Sequence, residues 1–159
     1  MNRRRILAEF PVDDILPLTN HPGVDQKEFV VGGQVYSVKM HSLRFECFQR
    51  SRTCVCCGIV GTKLILEFGS PLAQRPHFNL YGERDGKLVL LTKDHVIAAS
   101  TGGSDCPNNL QTMCETCNSL KGTRNCTIDE LRALCLGRTD KPPRRARRRW
   151  WYMRKNKNE

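Results

Sequence analysis

The pattern of apolar and polar residues predicts a domain that is rich in short β-strands and whose last element is a helix. The segments "EFVVGGQVYSVKM", "KLILEF", "HFNLY" and "KLVLLT" carry the short runs of apolar, aromatic or β-branched residues typical of strands. Gly32-Gly33 predicts a hairpin turn inside the first segment, and Asp85-Gly86 predicts a turn between the last two. We therefore expect a small α+β domain built largely from antiparallel strands.

Two helices are indicated by residues that cap helix N-termini. Ser42 is placed to cap a short helix that runs through about Arg50. Thr127 and Glu130 have the spacing of a capping box, and the apolar spacing of "IDELRALCL" follows them. Gly137 stands where this second helix is expected to stop.

Composition and charge divide the chain into three segments. Residues 1–25 contain four prolines or glycines and no clear period, which predicts an extended N-terminal arm. Residues 26–137 form the predicted domain, and residues 138–159 form a C-terminal tail. The tail has ten Lys or Arg against two acids, so it carries +8 of the net charge of +10. Such a tail attracts polyanions, of which nucleic acids are the most abundant inside cells.

The tail "KPPRRARRRWWYMRKNKNE" alternates basic and aromatic side chains, which can contact phosphates and stack on exposed bases. A solvated charge run, a helix that docks on the domain, and a segment that lies on an anionic membrane are the alternatives. We favour nucleic-acid contact without membrane association. The tail residues assigned to this contact are Arg144, Arg145, Arg147, Arg148, Arg149 and Trp150.

Cysteine usage indicates a protein of a reducing compartment. The chain has nine cysteines, an odd number, and two Cys-x-x-Cys pairs, which favours metal binding over a secreted disulfide framework. The apolar run after Arg5 is interrupted by Glu9, Pro11 and Asp13 before a signal peptide or membrane span could form. We expect a soluble, cytoplasmic protein.

The paired cysteines predict a structural zinc site, because zinc favours four sulfur ligands in a tetrahedron. The predicted ligands are Cys54, Cys57, Cys114 and Cys117. The two pairs are separated by 56 residues, so the ion would join distant segments of a small domain. Cys56 lies inside the first pair, and the sequence leaves open whether it replaces one of its neighbours as a ligand.

One segment carries a more specific pattern. A strand that ends in Asp94-His95 is followed by a glycine-rich loop, by Asn109, and by Cys114-x-x-Cys117-Asn118-x-x-Lys121-Gly122. Together with the first cysteine pair, this order resembles the HNH endonuclease family over about residues 50–125. The resemblance implies a ββα-metal motif, in which two antiparallel strands carry Asp-His and the middle Asn and a helix carries the last polar residue.

The resemblance also implies the roles of individual residues. His95 would activate water as a general base, and Asp94 and Asn118 would hold a divalent cation. Their carboxylate and amide oxygens suit magnesium or manganese, separate from the zinc. Asn109 would be mainly structural and hold the strand of His95 in position, and Lys121 would share the helix face of Asn118 and contact phosphate.

The predicted function is a metal-dependent HNH endonuclease that cuts DNA, most simply double-stranded DNA. One such site cuts one strand, so cutting both requires a homodimer or two successive events. Small HNH proteins of this kind are common in bacteriophage and bacterial genomes, so a phage-encoded protein would act in the host cytoplasm. The alternatives are a non-catalytic zinc module that binds DNA or RNA, and a structural protein that docks through its tail.

Overall fold

The computed structural model of the chain describes residues 4–70 and 72–136. Within them lie seven strands and four α-helices, which makes the fold α+β. The strands are β1 (Arg5–Pro11), β2 (Gln26–Val31), β3 (Gln34–Lys39), β4 (Lys63–Phe68), β5 (His77–Arg84), β6 (Lys87–His95) and β7 (Leu110–Cys114). The helices are α1 (Val12–Ile15), α2 (Leu43–Arg50), α3 (Glu115–Lys121) and α4 (Ile128–Leu136). The predicted tail contacts, Arg144 to Trp150, lie outside the described residues.

The strands form a five-stranded antiparallel sheet in the order β1-β4-β5-β6-β7 and a separate hairpin of β2 and β3. Alternate residues of each strand face the core, as the period of two requires. Leu64 and Leu66 of β4 and Phe78 and Leu80 of β5 are fully buried there. None of the described helices is long and apolar enough to cross a membrane.

The local signals are confirmed. The predicted hairpin turns at Gly32-Gly33, where both glycines have positive φ. The Ser42 side chain accepts a hydrogen bond from the backbone N–H of Phe45 at the start of α2. Thr127 and Glu130 exchange the reciprocal hydrogen bonds of a capping box at the start of α4. Helix α4 reaches Leu136, and the predicted stop at Gly137 lies outside the described residues.

The N-terminal arm is only partly as expected. Residues 5–11 are extended but pair with β4 as the edge strand β1, and residues 12–18 form helix α1 and a 3-10 turn. Val12 and Ile15 of the following helix α1 are buried in the core. The sequence pattern did not reveal this because the pairing joins segments about 60 residues apart and leaves most of β1 exposed.

The end of the main sheet positions the candidate site. Strands β6 and β7 are antiparallel, with Asp94 opposite Gln111 and His95 opposite Leu110. Helix α3 follows β7 directly, with Cys114 as its N-cap residue. This part of the fold is therefore two antiparallel strands and a helix, which brings residues near 94 and near 118 together.

Candidate active site and cysteine cluster

Four sulfur atoms meet where the first cysteine turn approaches the start of α3. All four Sγ atoms lie within 4.8 Å of one another, and they belong to Cys54, Cys57, Cys114 and Cys117. The Cys57 and Cys114 sulfurs are 3.7 Å apart. A tetrahedral ion with bonds of about 2.3 Å to sulfur would separate its ligands by about 3.8 Å. The cluster could therefore hold a metal ion such as zinc.

Local backbone geometry aims these side chains. Gly58 N–H donates to the Cys54 carbonyl at 2.9 Å, which closes the first turn. Gly58 has φ +74°, a conformation that glycine adopts without strain. In the second pair, the Cys117 N–H points to the Cys114 sulfur at 3.5 Å. Both turns thus present their sulfurs to the same point.

Electrostatics around the cluster suit a cation. Hydrogen bonds from Cys114 and Cys117 hold the pKa of the Cys54 thiol far below its ordinary value. Hydrogen bonds with Cys114 and Cys54 raise the pKa of Cys117 far above it. The Arg84 guanidinium also donates to the Cys57 sulfur at 3.1 Å. Sulfurs this crowded cannot all ionise alone, and a divalent ion among them would offset their negative charge.

Cys56 points elsewhere. Its sulfur lies 3.4 Å from that of Cys135 on α4. Burial, followed by the hydrogen bond with Cys135, raises the pKa of Cys56 to about 11. The Cys56, Cys117 and Cys135 sulfurs form a second group within 4.8 Å, which shares Cys117 with the first. The geometry therefore favours Cys54 and Cys57 as the ligands from the first turn.

Asp94 is buried between β7 and α3. Its carboxylate accepts a hydrogen bond from Gln111 Nε2 at 2.9 Å, and Lys121 Nζ lies 3.2 Å from Oδ2. Lys121 also donates to the backbone carbonyl of His95 at 2.6 Å and is only 2% exposed. Lys121 and Asn118 are three residues apart on α3 and therefore share a face of this helix. Its predicted phosphate contact would require the ammonium group to leave this buried position.

Asn118 lies one turn before Lys121 on α3. Its Nδ2 donates to Thr92 Oγ1 at 2.9 Å, and Thr92 in turn donates to the Met113 carbonyl. Thr92 and Asp94 are two residues apart on β6, so their side chains lie on the same face of the sheet. Asn118 and Asp94 are therefore neighbours across that face.

His95 follows Asp94 on the strand, so its side chain points to the opposite side. Its Nε2 lies 2.9 Å from Asp105 Oδ1, and Lys93 Nζ donates to the same oxygen at 2.8 Å. The His95 side chain is 22% exposed. The ring is thus held at the surface near the end of β6.

Asn109 braces the loop between β6 and β7. Its Oδ1 accepts from the Ile97 N–H at 2.8 Å, and its Nδ2 donates to the carbonyls of Ile97 and Ser104 at 3.1 and 2.8 Å. Its own carbonyl accepts from Val96 N–H. Asn109 therefore links three backbone groups of this loop, and the role that the resemblance implies for it stays a prediction.

Sequence reasoning missed two side chains that touch the candidate site. Asp105 contacts the His95 ring, and Gln111 contacts Asp94. The available signal for Asp105 was a carboxylate two residues after Gly102-Gly103, ten residues beyond His95. Within residues 4–70 and 72–136, no side-chain hydrogen bond or ion pair joins His95, Asp94 and Asn118 to one another.

Comparison with known proteins agrees with this arrangement. The family model described as HNH endonuclease matches residues 84–135, which include β6, β7 and α3. Neither a curated protein nor a solved structure matches the chain. The resemblance that the sequence indicated is therefore supported: residues 84–135, about a third of the chain, are similar to the HNH endonuclease family.

Proposed function

We propose that this chain is a metal-dependent HNH endonuclease that hydrolyses phosphodiester bonds in double-stranded DNA. The observation that carries the proposal is that the family match at residues 84–135 spans the four polar residues of the motif. These residues are Asp94, His95, Asn109 and Asn118. In support, Asp94 and His95 end strand β6, Asn109 directly precedes β7, and Asn118 lies on α3.

Asp94 and Asn118 are the proposed ligands of a hard cation, magnesium or manganese. The Asp94 carboxylate has about four acceptor sites, so Gln111 and Lys121 leave room for a further partner. Asn118 uses its nitrogen to bond Thr92, which leaves the amide oxygen as a neutral ligand. A cation bound there would polarise the scissile phosphate and offset charge on the departing oxygen.

His95 is the proposed general base, because histidine exchanges protons readily near neutral pH. It accepts a proton from water, whose oxygen bonds to phosphorus while the bond from phosphorus to the leaving ester oxygen breaks. The leaving oxygen takes a proton from solvent, so the products are an alcohol and a phosphate monoester. Asp94 and His95 face opposite sides of β6, so a bound phosphate must span the end of this strand to meet both.

Zinc is the proposed ion of the cysteine cluster, where its part is structural. It would tie the turn at Cys54–Cys57 to the start of α3, which carries Asn118 and Lys121. Arg84 would stabilise the negative charge of the zinc-bound sulfurs through its contact with Cys57. The cluster thus supports the site without taking part in the reaction.

One observation favours a second function. The Lys121 ammonium already neutralises Asp94 in a buried ion pair, as a bound cation would. A site closed in this way is compatible with a zinc-containing module that binds DNA or RNA without cutting it. Calorimetric titration of the zinc-loaded protein with magnesium and manganese separates the two. Binding that disappears in Asp94→Asn supports the nuclease, and absence of binding favours the module.

The direct test is cleavage of supercoiled plasmid by the zinc-loaded protein. We expect nicked or linear product with magnesium or manganese and none with excess EDTA. His95→Ala should lower the rate by at least about 100-fold while a gel shift shows unchanged DNA affinity. His41→Ala, which removes an exposed histidine outside the family match, is the matched control and should cut normally. If the wild-type protein leaves the plasmid intact with both metals, the catalytic proposal is wrong.

The basic tail is proposed to contact the DNA backbone. Replacing its five central arginines with serine should weaken DNA binding. It should also make the association constant less dependent on salt: the slope of log K against log salt concentration should become shallower by about 0.9 for each phosphate that is no longer neutralised. The residues are Arg144, Arg145, Arg147, Arg148 and Arg149. An unchanged salt slope would assign the tail to another partner. Cutting of both strands would further require a homodimer or two events, which the ratio of nicked to linear product measures.

A further inference from the structure

The loop between β6 and β7 carries a carboxylate that holds the proposed general base. Asp105 Oδ1 lies 2.9 Å from His95 Nε2 and 2.8 Å from Lys93 Nζ. Lys93 and His95 are two residues apart on β6 and therefore project from the same side of the strand. One oxygen of Asp105 thus bridges a fixed cation and the imidazole ring.

The backbone that carries Asp105 is itself fixed. Asn109 Nδ2 donates to the carbonyls of Ser104 and Ile97, and Asn109 Oδ1 accepts from the Ile97 N–H. Gly103 packs so closely against Ile97 that an added Cβ would overlap the Ile97 carbonyl oxygen. Ser104, the residue directly before Asp105, therefore cannot shift without breaking these contacts.

We propose that Asp105 is a positioning residue, which anchors His95 through Nε2 so that Nδ1 faces the water to be activated. This inference rests on the proposed function of His95. An ionised carboxylate only accepts hydrogen bonds, so the ring nitrogen that faces it must carry the proton. Nδ1 then keeps its lone pair and is the nitrogen able to take a proton from water.

Lys93 maintains this arrangement. Its ammonium shares the Asp105 oxygen with the ring and keeps the carboxylate ionised. Contacts with Lys93 and then His95 hold the pKa of Asp105 below its usual range. Lys93 also offsets the negative charge that Asp105 would otherwise present to the phosphates of a nucleic acid. The carboxylate can therefore orient the base without repelling the substrate.

Asn109 would affect the general base indirectly. It bonds to the Ser104 carbonyl, the adjacent Asp105 bonds to the His95 ring, and His95 meets the substrate. Asn109 would thus help to orient His95 through this loop as well as hold the strand of His95 in position.

Kinetics of the full-length, zinc-loaded protein provide the first arm of the test. Asp105→Ala should lower kcat by about 10- to 100-fold with KM within about twofold, because the base is misoriented while DNA contacts persist. Asp105→Glu should recover part of the loss. Ser104→Ala is the matched control, because among residues 4–70 and 72–136 the Ser104 hydroxyl bonds to the Cys106 sulfur alone, and its backbone carbonyl is retained. Loss of activity in Ser104→Ala equal to that in Asp105→Ala would overturn the proposal.

Ring-nitrogen NMR at pH 8 provides an arm that does not depend on cleavage. In the wild type, His95 should carry its proton on Nε2, and Asp105→Ala should add the form protonated on Nδ1 while Ser104→Ala should not. The same ring form in wild type and Asp105→Ala overturns the proposal, even if activity falls. If the wild type does not cut DNA, the proposed function fails and the NMR comparison alone decides whether Asp105 fixes the ring.

Discussion

The Lys121 ammonium lies 3.2 Å from the Asp94 carboxylate, and the two side chains are 2% and 7% exposed. The pair joins α3 to β6 at the proposed cation site, with a second Lys121 bond to the His95 carbonyl. A divalent cation at Asp94 would therefore bind next to a positive charge that is already present. Stability and metal affinity at this site are expected to be linked.

Removal of Lys121 should show this linkage. Lys121→Met leaves a buried carboxylate without its partner and should lower the free energy of unfolding by about 3 to 5 kcal/mol. Urea denaturation measures the loss, and added magnesium should stabilise this variant more than it stabilises the wild type, because Asp94 no longer has a cationic partner. Lys63→Met is the control, because Lys63 is 41% exposed and its pairs with Glu9 and Glu83 should contribute less than about 1 kcal/mol. Equal losses in the two variants would contradict the prediction.

The brace at Asn109 gives a second prediction. Asn109→Ala removes three side-chain hydrogen bonds to loop backbone and should destabilise the protein by about 2 to 4 kcal/mol. Asn108→Ala changes the adjacent, exposed amide in the same short 3-10 turn and should cost less than about 1 kcal/mol. Thermal unfolding of both variants checks this, and a loss below about 1 kcal/mol for Asn109→Ala would show that the loop is held by other contacts.

The predictable part of the fold is the part coded by neighbouring residues. Strand β4 coincides with "KLILEF", and the Thr127 and Glu130 spacing located the start of α4. Strand β1 was missed because its partner β4 is distant in sequence, and nothing local distinguishes an edge strand from an extended arm. Patterns within one segment therefore predict individual strands and helices. The order of strands in the sheet depends on pairing between segments that are distant in sequence, which such patterns do not record.

The same distinction applies to the candidate site. Asn118 and Lys121 share one face of α3, a relationship that their three-residue spacing contains. The burial of Lys121 against Asp94 depends on how α3 lies on β6, which no local pattern records. The contact of Asp105 with His95 likewise depends on the folding back of a loop.

The two neighbouring cysteines of the first turn give a third prediction. Cys57→Ser should lose the bound zinc, because the Cys57 sulfur belongs to the four-sulfur group. Cys56→Ser should retain about one zinc per chain, because the Cys56 sulfur faces Cys135. Metal analysis of purified variants after brief treatment with a chelator measures both. Zinc loss in Cys56→Ser with retention in Cys57→Ser would reverse the assignment of the ligands.

The last prediction concerns His77, the first residue of strand β5. Burial is the main cause that lowers the pKa of His77 below its ordinary 6.5. The positive charges of Arg44 and Arg4 lower this pKa further, and the negative charge of Glu67 opposes the shift. The unfolded chain therefore binds the proton more readily than the folded protein does. The stabilising contribution of neutral His77 is complete above about pH 6.5 and is lost as the pH falls through the lower, folded-state pKa.

Wild-type protein should consequently lose more stability between pH 7 and pH 5 than His77→Gln does. Urea denaturation at both pH values gives the change in the free energy of unfolding for each protein. Groups that titrate in both proteins contribute equally to the two changes, so their contributions cancel when the changes are compared. His41→Gln, which removes an exposed histidine, should follow the wild type. If His77→Gln has the same pH dependence as the wild type, the pKa of His77 does not change on folding. The charge of Glu67 would then fully offset the effects of burial and of the two arginines.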